Sequence, residues 1–407
     1  MMRRSFETIQ NTGTFAAIAL VTVSWASTTD LTIGLLVQIR LALIAVLILS
    51  LLTLLFRQPR KLRRVVIGIF TISALGFYSV LSLWIHAPSA PMTLSSHLVL
   101  ICVTSAIYIQ FSLAIPTRKI ITDYTAWMYI VFCLVILVLT IFMGGLRFDG
   151  SLRFVYSITT IDGIEIRYSQ GNSKFYGLAA VLIAGLISQS RRISVHSLGL
   201  SCLLVTFLGL SLIGGGRGDF VFTLLLTLIR LGFIKLFALF SLITLVLFAF
   251  EDSLNSHLAN YTNLIDRYKM LTVSYGMRDT LLEDSFSLLV QEPISLISGC
   301  GIGYFQSYHG YPVGLHPHNI PVEFVISFGL LISIPVAVLV LVGLWKVHER
   351  EGFSSHFIFN FLFFFLISLK SGTVLTSYTL TGSVAFLAFL GLFSFIQTTK
   401  KGNYSGP

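Results

Sequence analysis

Residues 298–331 read SGCGIGYFQSYHGYPVGLHPHNIPVEFVISFGLL, and the interpretation of the whole chain starts from this stretch. It opens with closely spaced glycines, continues with tyrosines and histidines, and becomes apolar from Ile320 onward, as a membrane helix does. His318 and Asn319 therefore lie where a polar loop meets the start of a hydrophobic helix. A titratable side chain at such a boundary can contact water, a lipid headgroup and protein together. We take this boundary as the candidate site of chemistry.

The composition predicts a membrane protein. Of the 407 residues, 55% are hydrophobic and 11% charged, whereas ordinary soluble chains are about 25% charged. A soluble fold cannot bury so much apolar surface, so we expect an all-α polytopic integral membrane protein. The four cysteines are too few for a disulfide framework.

Apolar runs of membrane-spanning length recur along the chain. A span needs about 20 mainly apolar residues, and on that rule we predict about twelve transmembrane helices in a single polytopic membrane domain, 1–407. The expected spans are 10–27, 31–56, 65–86, 92–115, 121–145, 174–190, 194–213, 218–231, 233–250, 319–345, 356–371 and 375–397.

The basic residues predict the orientation. The net charge is +10, but the positive residues fall in short clusters between apolar runs, which indicates topology rather than a nucleic-acid partner. With both termini in the cytoplasm, seventeen of the 27 Lys and Arg residues fall in inner segments. Two long segments then lie outside, 146–173 and 251–318, and long loops tend to carry function.

Two arginines are candidates for binding an anion. Arg217 stands in the turn GGGRGD, residues 214–219, where glycines let backbone amides approach a ligand and the guanidinium can bind phosphate through two parallel hydrogen bonds. Arg278 lies in the second long segment, and Arg267 is its alternative. The ordinary interpretations stay open: a snorkelling Arg217, and an Arg278 paired with nearby acids on a surface helix.

His318 is the strongest single candidate, because imidazole can transfer protons near neutral pH. Asn319 and Glu323 are expected to support it, and Tyr311 to stack on a sugar. We expect His316 to be structural, with Pro317 directing the two histidine side chains apart.

Three other interpretations of these residues stay open. His318 could be only a capping or interfacial residue. A metal site on the two histidines would need a third ligand, His309 or Glu323. Arg40, inside a span, is left unassigned.

Several motifs of cofactor and nucleotide chemistry are missing from the sequence. It contains no GxxxxGK[ST] phosphate loop, no Asp-x-Asp pair and no GxSxG, and GCGIG does not follow a strand. We therefore expect neither a cofactor nor a metal.

The order of these motifs resembles the O-antigen ligase/polymerase superfamily of bacterial envelope glycan assembly. The resemblance rests on the Gly-Arg-Gly turn after a mid-chain span, an arginine in the following external loop, GxGxGxF, and His-Pro-His-Asn leading into VEFVISFGLL. It covers residues 174–345 in motif. The turn here is GGGRGD rather than the family's commoner Ser/Thr-Arg-Gly form.

The resemblance implies a C-type glycosyltransferase-like fold and a metal-independent, inverting glycosyltransferase. The donor would be an undecaprenyl-pyrophosphate-linked glycan, its pyrophosphate held by Arg217 and Arg278, while His318 activates the acceptor hydroxyl. The acceptor would be a lipid-linked repeat unit in a polymerase, or lipid A–core in a ligase. Further expected partners are membrane lipid and a chain-length regulator.

Three functions remain open at this point. HNIPVEFVISFG favours the O-antigen polymerase branch over the ligase. A lipid-linked oligosaccharide flippase is the alternative from another class, but such transporters keep ionisable groups at the membrane midplane, whereas the polar residues here gather at the outer face. All three place the protein in the bacterial inner membrane with its site facing the periplasm.

The orientation can be tested by labelling single introduced cysteines. In the variant Ser287→Cys, an impermeant maleimide should label intact cells whose outer membrane has been made permeable. In the variant Arg57→Cys, labelling should require lysis of the inner membrane, and the unsubstituted chain measures the background. Labelling of Ser287→Cys only after lysis would reverse the orientation.

Overall fold

The protein is mainly helical in the computed structural model, which describes residues 2–26, 30–88, 94–114, 119–148, 152–160, 163–168, 170–189, 195–214, 216–232, 277–312, 315–370 and 372–402. The helices are α1 (Met2–Thr22), α2 (Asp30–Arg57), α3 (Leu62–His86), α4 (Leu94–Ala114), α5 (Asp123–Phe142), α6 (Gln170–Gln189), α7 (Val195–Ile213), α8 (Arg217–Leu231), α9 (Met277–Gln291), α10 (Pro293–Ile297), α11 (Tyr304–His309), α12 (Ile320–Glu351), α13 (His356–Lys370) and α14 (Tyr378–Gly402).

Several of these helices can cross a membrane. Within the described ranges, six are long and apolar enough: Gly34–Arg57, Leu62–His86, Leu94–Ala114, Asp123–Phe142, Ile320–Glu351 and Tyr378–Ile396. Each falls on an expected span, so the mainly helical character of the chain is confirmed, and these six helices could span a membrane by their length and composition. Two apolar helices are shorter, Ser197–Ile213 and His356–Lys370. The total of about twelve spans stays a prediction, and the expected span 233–250 lies outside the described residues.

The first long loop contains a small antiparallel sheet, which an all-α expectation missed. Strands β1 (Leu146–Phe148), β2 (Leu152–Thr160) and β3 (Gly163–Tyr168) pair in the order β1-β2-β3. Residues 152–168 alternate β-branched and aromatic residues with polar ones, a pattern typical of a half-buried strand. Because Phe154 is buried and stacks on Tyr176 of α6, the sheet is attached to a helix rather than free in solvent.

The chain forms two compact units. The first comprises Met1–Ala17, Leu47–Ile120 and Tyr275–Pro407, and the second comprises Ile18–Val46 and Ile121–Ser274. In the second unit α6 is the central helix, with residues 175–184 almost fully buried against α5, α7 and α8. In the first unit α4 and α12 both pack on α14, and α3 packs on α4.

Two arginines of the second unit bear on the charge pattern. Arg230, counted above among the inner basic residues, is 5% exposed, and its guanidinium donates to the carbonyl of Val181 at 3.0 Å. It therefore joins α8 to α6 instead of marking a membrane surface. Arg40 is half-buried on α2, and nothing in the described structure assigns it a role.

The expected span 319–345 is interrupted. Helix α12 has a kink at Gly329, whose φ of 69° and ψ of 169° are non-helical. This conformation is essentially restricted to glycine, and a Cβ there would lie 2.2 Å from the carbonyl oxygen of Ile297. The kink therefore depends on a residue without a side chain, and it separates the first two turns of α12 from the long apolar remainder.

Replacing Gly329 by alanine should destabilise the fold more than the same change at Gly352. Gly352 has a similar backbone, φ 78° and ψ 173°, but a Cβ there meets nothing within 4 Å. Both substitutions incur backbone strain of about 1–3 kcal/mol, and only Gly329→Ala adds a clash with Ile297 and Ser298. Thermal unfolding in detergent should therefore show a clearly lower midpoint for Gly329→Ala. Equal midpoints would mean that the kink is not sterically fixed.

Candidate active site at the start of α12

The glycine-rich loop is bonded to the kink in α12. The amide of Cys300 donates to the carbonyl of Ile326 at 2.9 Å, and the amide of Gly301 donates to the carbonyl of Ser327 at 3.0 Å. A kink at Gly329 deprives carbonyls one turn earlier of their helical donors, and these two loop amides satisfy them. The loop can approach so closely because a Cβ at Gly299 would lie 2.5 Å from the backbone of α12.

Helix α3 holds the other side of this loop. The Ser82 hydroxyl donates to the carbonyl of Gly299 at 3.0 Å, and the amide of Ile302 donates to the Ser79 hydroxyl at 2.8 Å. The hydroxyl of Tyr78 donates to the carbonyl of Ser298. Three polar side chains on one helix thus satisfy backbone groups of a buried loop, which would otherwise be costly to desolvate.

A small hydrophobic core lies beneath the loop and connects four elements. Its buried members are Leu83 of α3, Leu281 and Leu288 of α9, Cys300, Tyr304, Phe305 and Ile326 of α12. Tyr311, Leu315 and Val322 pack against it and are partly buried. The loop before His318 and the first turn of α12 therefore share one packed support.

Aromatic rings cover the outer side of this core. His309 lies 5.0 Å from Phe305 and 5.4 Å from Tyr311, measured between ring centroids. Tyr308 is 37% exposed, and its hydroxyl donates to Gln291 at 2.9 Å. The hydroxyl of Tyr311 donates to the Asp284 carboxylate, which raises the pKa of Tyr311. The cluster presents aromatic faces at a fixed orientation, as sugar stacking requires.

His318 has an unusual backbone conformation. Its φ is 55°, and within the described residues it is the only non-glycine residue with a positive φ. Histidine tolerates the left-handed region better than bulky residues do, but the conformation is still strained by about 1 kcal/mol. Asn319 then caps α12: its Oδ1 accepts from the amide of Val322 at 3.1 Å, and its Nδ2 donates to the carbonyl of Leu369 at 3.2 Å. His318 is thereby positioned immediately before a fixed helix end.

The expectation that Pro317 directs the two histidines apart is wrong. The ring centroids of His316 and His318 are 4.2 Å apart, with the planes tilted by 47°. The left-handed backbone at His318 reverses the chain direction after Pro317, which brings both rings to the same side. His316 is therefore in direct contact with the candidate base. Its ring can influence His318 directly, in addition to any structural role.

Glu323 connects α12 to the segment between α13 and α14. Its side chain is 3% exposed, and its carboxylate accepts from the Thr373 hydroxyl at 2.6 Å and from the amide of Val374 at 3.0 Å. Together with Asn319, it fixes the first turn of α12 at two points. Glu323 therefore supports His318 indirectly, by holding in place the start of the helix that follows it.

The two candidate arginines belong to different units. Arg278 lies in the first turn of α9 in the first unit and is half-buried. Within the described part of the chain its guanidinium forms no ion pair with Asp279, Glu283 or Asp284, so the pairing considered as the ordinary interpretation is not observed. The alternative, Arg267, lies outside the described residues.

Arg217 is the first residue of α8 in the second unit, and only its backbone is described. The turn before it packs on α6: the amide of Gly216 donates to the Ser173 hydroxyl at 2.8 Å. A Cβ at Gly214 would lie 2.5 Å from the amide nitrogen of Ser173. Gly214 and Gly216 thus serve close packing of two helices, and the Gly216 amide is already bonded. Any anion binding here would fall to the Arg217 side chain.

Among the described residues, no group of three His, Cys, Asp or Glu side chains could hold a metal ion. Comparison with known proteins gives no match: no family model fits the sequence, and no curated protein is similar to it. The resemblance drawn from the motifs therefore remains a proposal.

Sequence reasoning missed several residues that build this site. Tyr78, Ser79 and Ser82 lie about 220 residues before the loop that they hold, inside an apolar run. Thr373 and Val374 follow the site by 50 residues. The available signal was the spacing of polar residues on one side of α3, since 78, 79 and 82 fall on one helical face.

Proposed function

We propose that this protein is a bacterial polysaccharide polymerase of the O-antigen type, which transfers a glycan from an undecaprenyl-pyrophosphate-linked donor to a sugar hydroxyl of a lipid-linked acceptor. The observation that carries the proposal is the strained backbone at His318, held between the core-supported loop and the capped start of α12. A strained backbone conformation persists only where the surrounding structure holds it in place, and such conformations are concentrated at functional sites.

The chemistry assigned to His318 is that of a general base. The imidazole takes the proton of the acceptor hydroxyl as that oxygen attacks the anomeric carbon. The bond from this carbon to the pyrophosphate oxygen breaks, its electrons leave with the lipid pyrophosphate, and a single displacement inverts the configuration. A positioned general base contributes about 10²–10⁴ in rate. The exposed ring of Tyr308, with the half-buried ring of His309 nearly perpendicular to it, offers a face on which the acceptor sugar can stack.

The arginines stabilise the leaving group in this proposal. An active site outside the cytoplasm has no nucleotide triphosphates, so the donor must carry its own activated leaving group, and a lipid pyrophosphate supplies one. Arg217 and Arg278 neutralise the charge that builds on it. Arg278 is suited to this because, within the described residues, no carboxylate already pairs with it.

The proposed function is tested by deleting the gene and complementing the strain with His318 variants. Deletion should leave core carrying one repeat unit on lipopolysaccharide gels, whereas bare core with accumulated lipid-linked polymer would identify a ligase instead. His318→Gly removes the base but relieves the backbone strain, so it should melt at or above the wild-type temperature and restore no ladder. The variant His318→Asn is a second test, because asparagine is polar and also tolerates a positive φ but cannot act as a base. It should likewise restore no ladder.

A structural histidine would behave in the opposite way. If His318 only capped or supported the loop, His318→Gly and His318→Ala would lower the melting temperature while chain transfer continued. His316→Ala should weaken transfer without abolishing it, because its ring contacts His318 but receives no proton in the proposed step. Near wild-type transfer by purified His318→Gly protein would refute the general-base role.

The arginines are tested by a charge-conserving substitution. Arg217→Lys and Arg278→Lys should lose transfer nearly as severely as the alanine variants, by about 10²–10³, because lysine keeps the charge but lacks the two-pronged hydrogen bonding to phosphate. Arg63, which is exposed on α3, supplies the matched control. Arg63→Lys should leave glycan transfer unchanged. Full activity of both lysine variants at normal protein level would reduce the two arginines to surface charges.

A further inference from the structure

A second feature of the first unit lies at the opposite end of α3 from the candidate active site. Here the start of α3, the end of α4 and the middle of α14 line a small, partly open groove. We call it the basic groove; its lining includes Lys61, Arg64, Tyr108, Phe386, Phe389 and Phe393. At 1.5 Å per helical residue, α3 separates Arg64 in this groove from Ser79 and Ser82 by about 25 Å.

One side of the basic groove is cationic. Lys61 Nζ lies 3.4 Å from the carbonyl oxygens of Ser112 and Leu113 at the end of α4, and the Arg64 Cζ stands 5.2 Å over the ring of Phe393. Within the described residues, neither side chain forms an ion pair with a carboxylate. Burial, with Arg64 and Arg350 nearby, lowers the pKa of Lys61 to about 8. The positive charge at this place therefore lacks a protein counter-ion.

The other side of the groove is apolar and aromatic. Tyr108 and Phe389 have ring centroids 5.2 Å apart, and Phe386 is buried behind them. Three helices that are long and apolar enough to cross a membrane contribute these walls. A ligand that fits must combine an anionic head with a hydrocarbon tail lying along a membrane helix. A free anion would leave the aromatic wall unused, and a neutral lipid would leave the cations unpaired.

We propose that the basic groove binds an anionic phospholipid, with its phosphate between Lys61 and Arg64 and an acyl chain along Phe386, Phe389 and Phe393. Basic pockets between membrane helices on the cytoplasmic side are a general means of binding such headgroups. The expected orientation puts this end of α3 in the cytoplasm. The site is independent of the glycan chemistry, because it shares none of the residues around His318.

The proposal is tested by native mass spectrometry of the purified full-length protein with added lipids. The protein should retain phosphatidylglycerol in preference to zwitterionic phosphatidylethanolamine, and millimolar inorganic phosphate should not displace it. Arg64→Gln should weaken retention about fivefold, since each cation near a membrane surface is worth about that factor. Arg64→Lys should keep most of the binding.

Arg63 supplies the matched control, because it carries the same charge one residue away, is exposed and does not line the groove. Arg63→Gln should leave lipid retention unchanged. Lys61→Gln should also weaken retention about fivefold, but it removes contacts with α4, so Arg64→Gln, which removes no side-chain hydrogen bond among the described residues, is the decisive variant. Equal losses in Arg63→Gln and Arg64→Gln, displacement by inorganic phosphate, or equal binding of both lipids would each overturn the proposal.

Discussion

Two backbone hydrogen bonds, from Cys300 and Gly301 to the carbonyls of Ile326 and Ser327, are the interaction on which the candidate site depends. A helix that breaks inside an apolar segment exposes carbonyls to an environment with no water to satisfy them, and each costs several kcal/mol. The glycine-rich loop supplies the missing donors. The kink and the loop therefore require each other, and neither would be stable in this form alone.

The polar contacts around this pair make the start of α12 rigid. Asn319 caps the helix and reaches the end of α13, while the carboxylate of Glu323 holds Thr373 and Val374. Both side chains lie within the first turn after His318, so the imidazole stands before a helix end fixed at two separate points. Such support is what a proton-transferring group needs, because a misplacement of about 1 Å costs a large part of the rate.

Helix α3 carries different chemistry at its two ends. Its C-terminal half holds the loop of the candidate site through serine and tyrosine hydroxyls, and its N-terminus brings Lys61 and Arg64 to the basic groove. About 25 Å of helix separates the two, which is somewhat less than the thickness of a bilayer core. Under the two proposals, one helix would support a substrate site at one end and a lipid site at the other.

The sequence by itself determined the helical membrane class, because long apolar runs allow no other solution, and it marked the boundary at His318 and Asn319, where polarity changes abruptly. It also singled out Asn319 and Glu323 as supporting residues, because both lie close to His318 along the chain. Only the tertiary structure decided that Gly329 breaks α12, that His316 and His318 are in contact, and that the first long loop forms a sheet. The kink and the sheet depend on partners outside the local sequence, which are the loop at 298–301 and Tyr176 of α6. The histidine contact depends on the positive φ of His318. Local sequence patterns carry no information about such partners, because the packing of two distant segments depends on the shapes of both segments together.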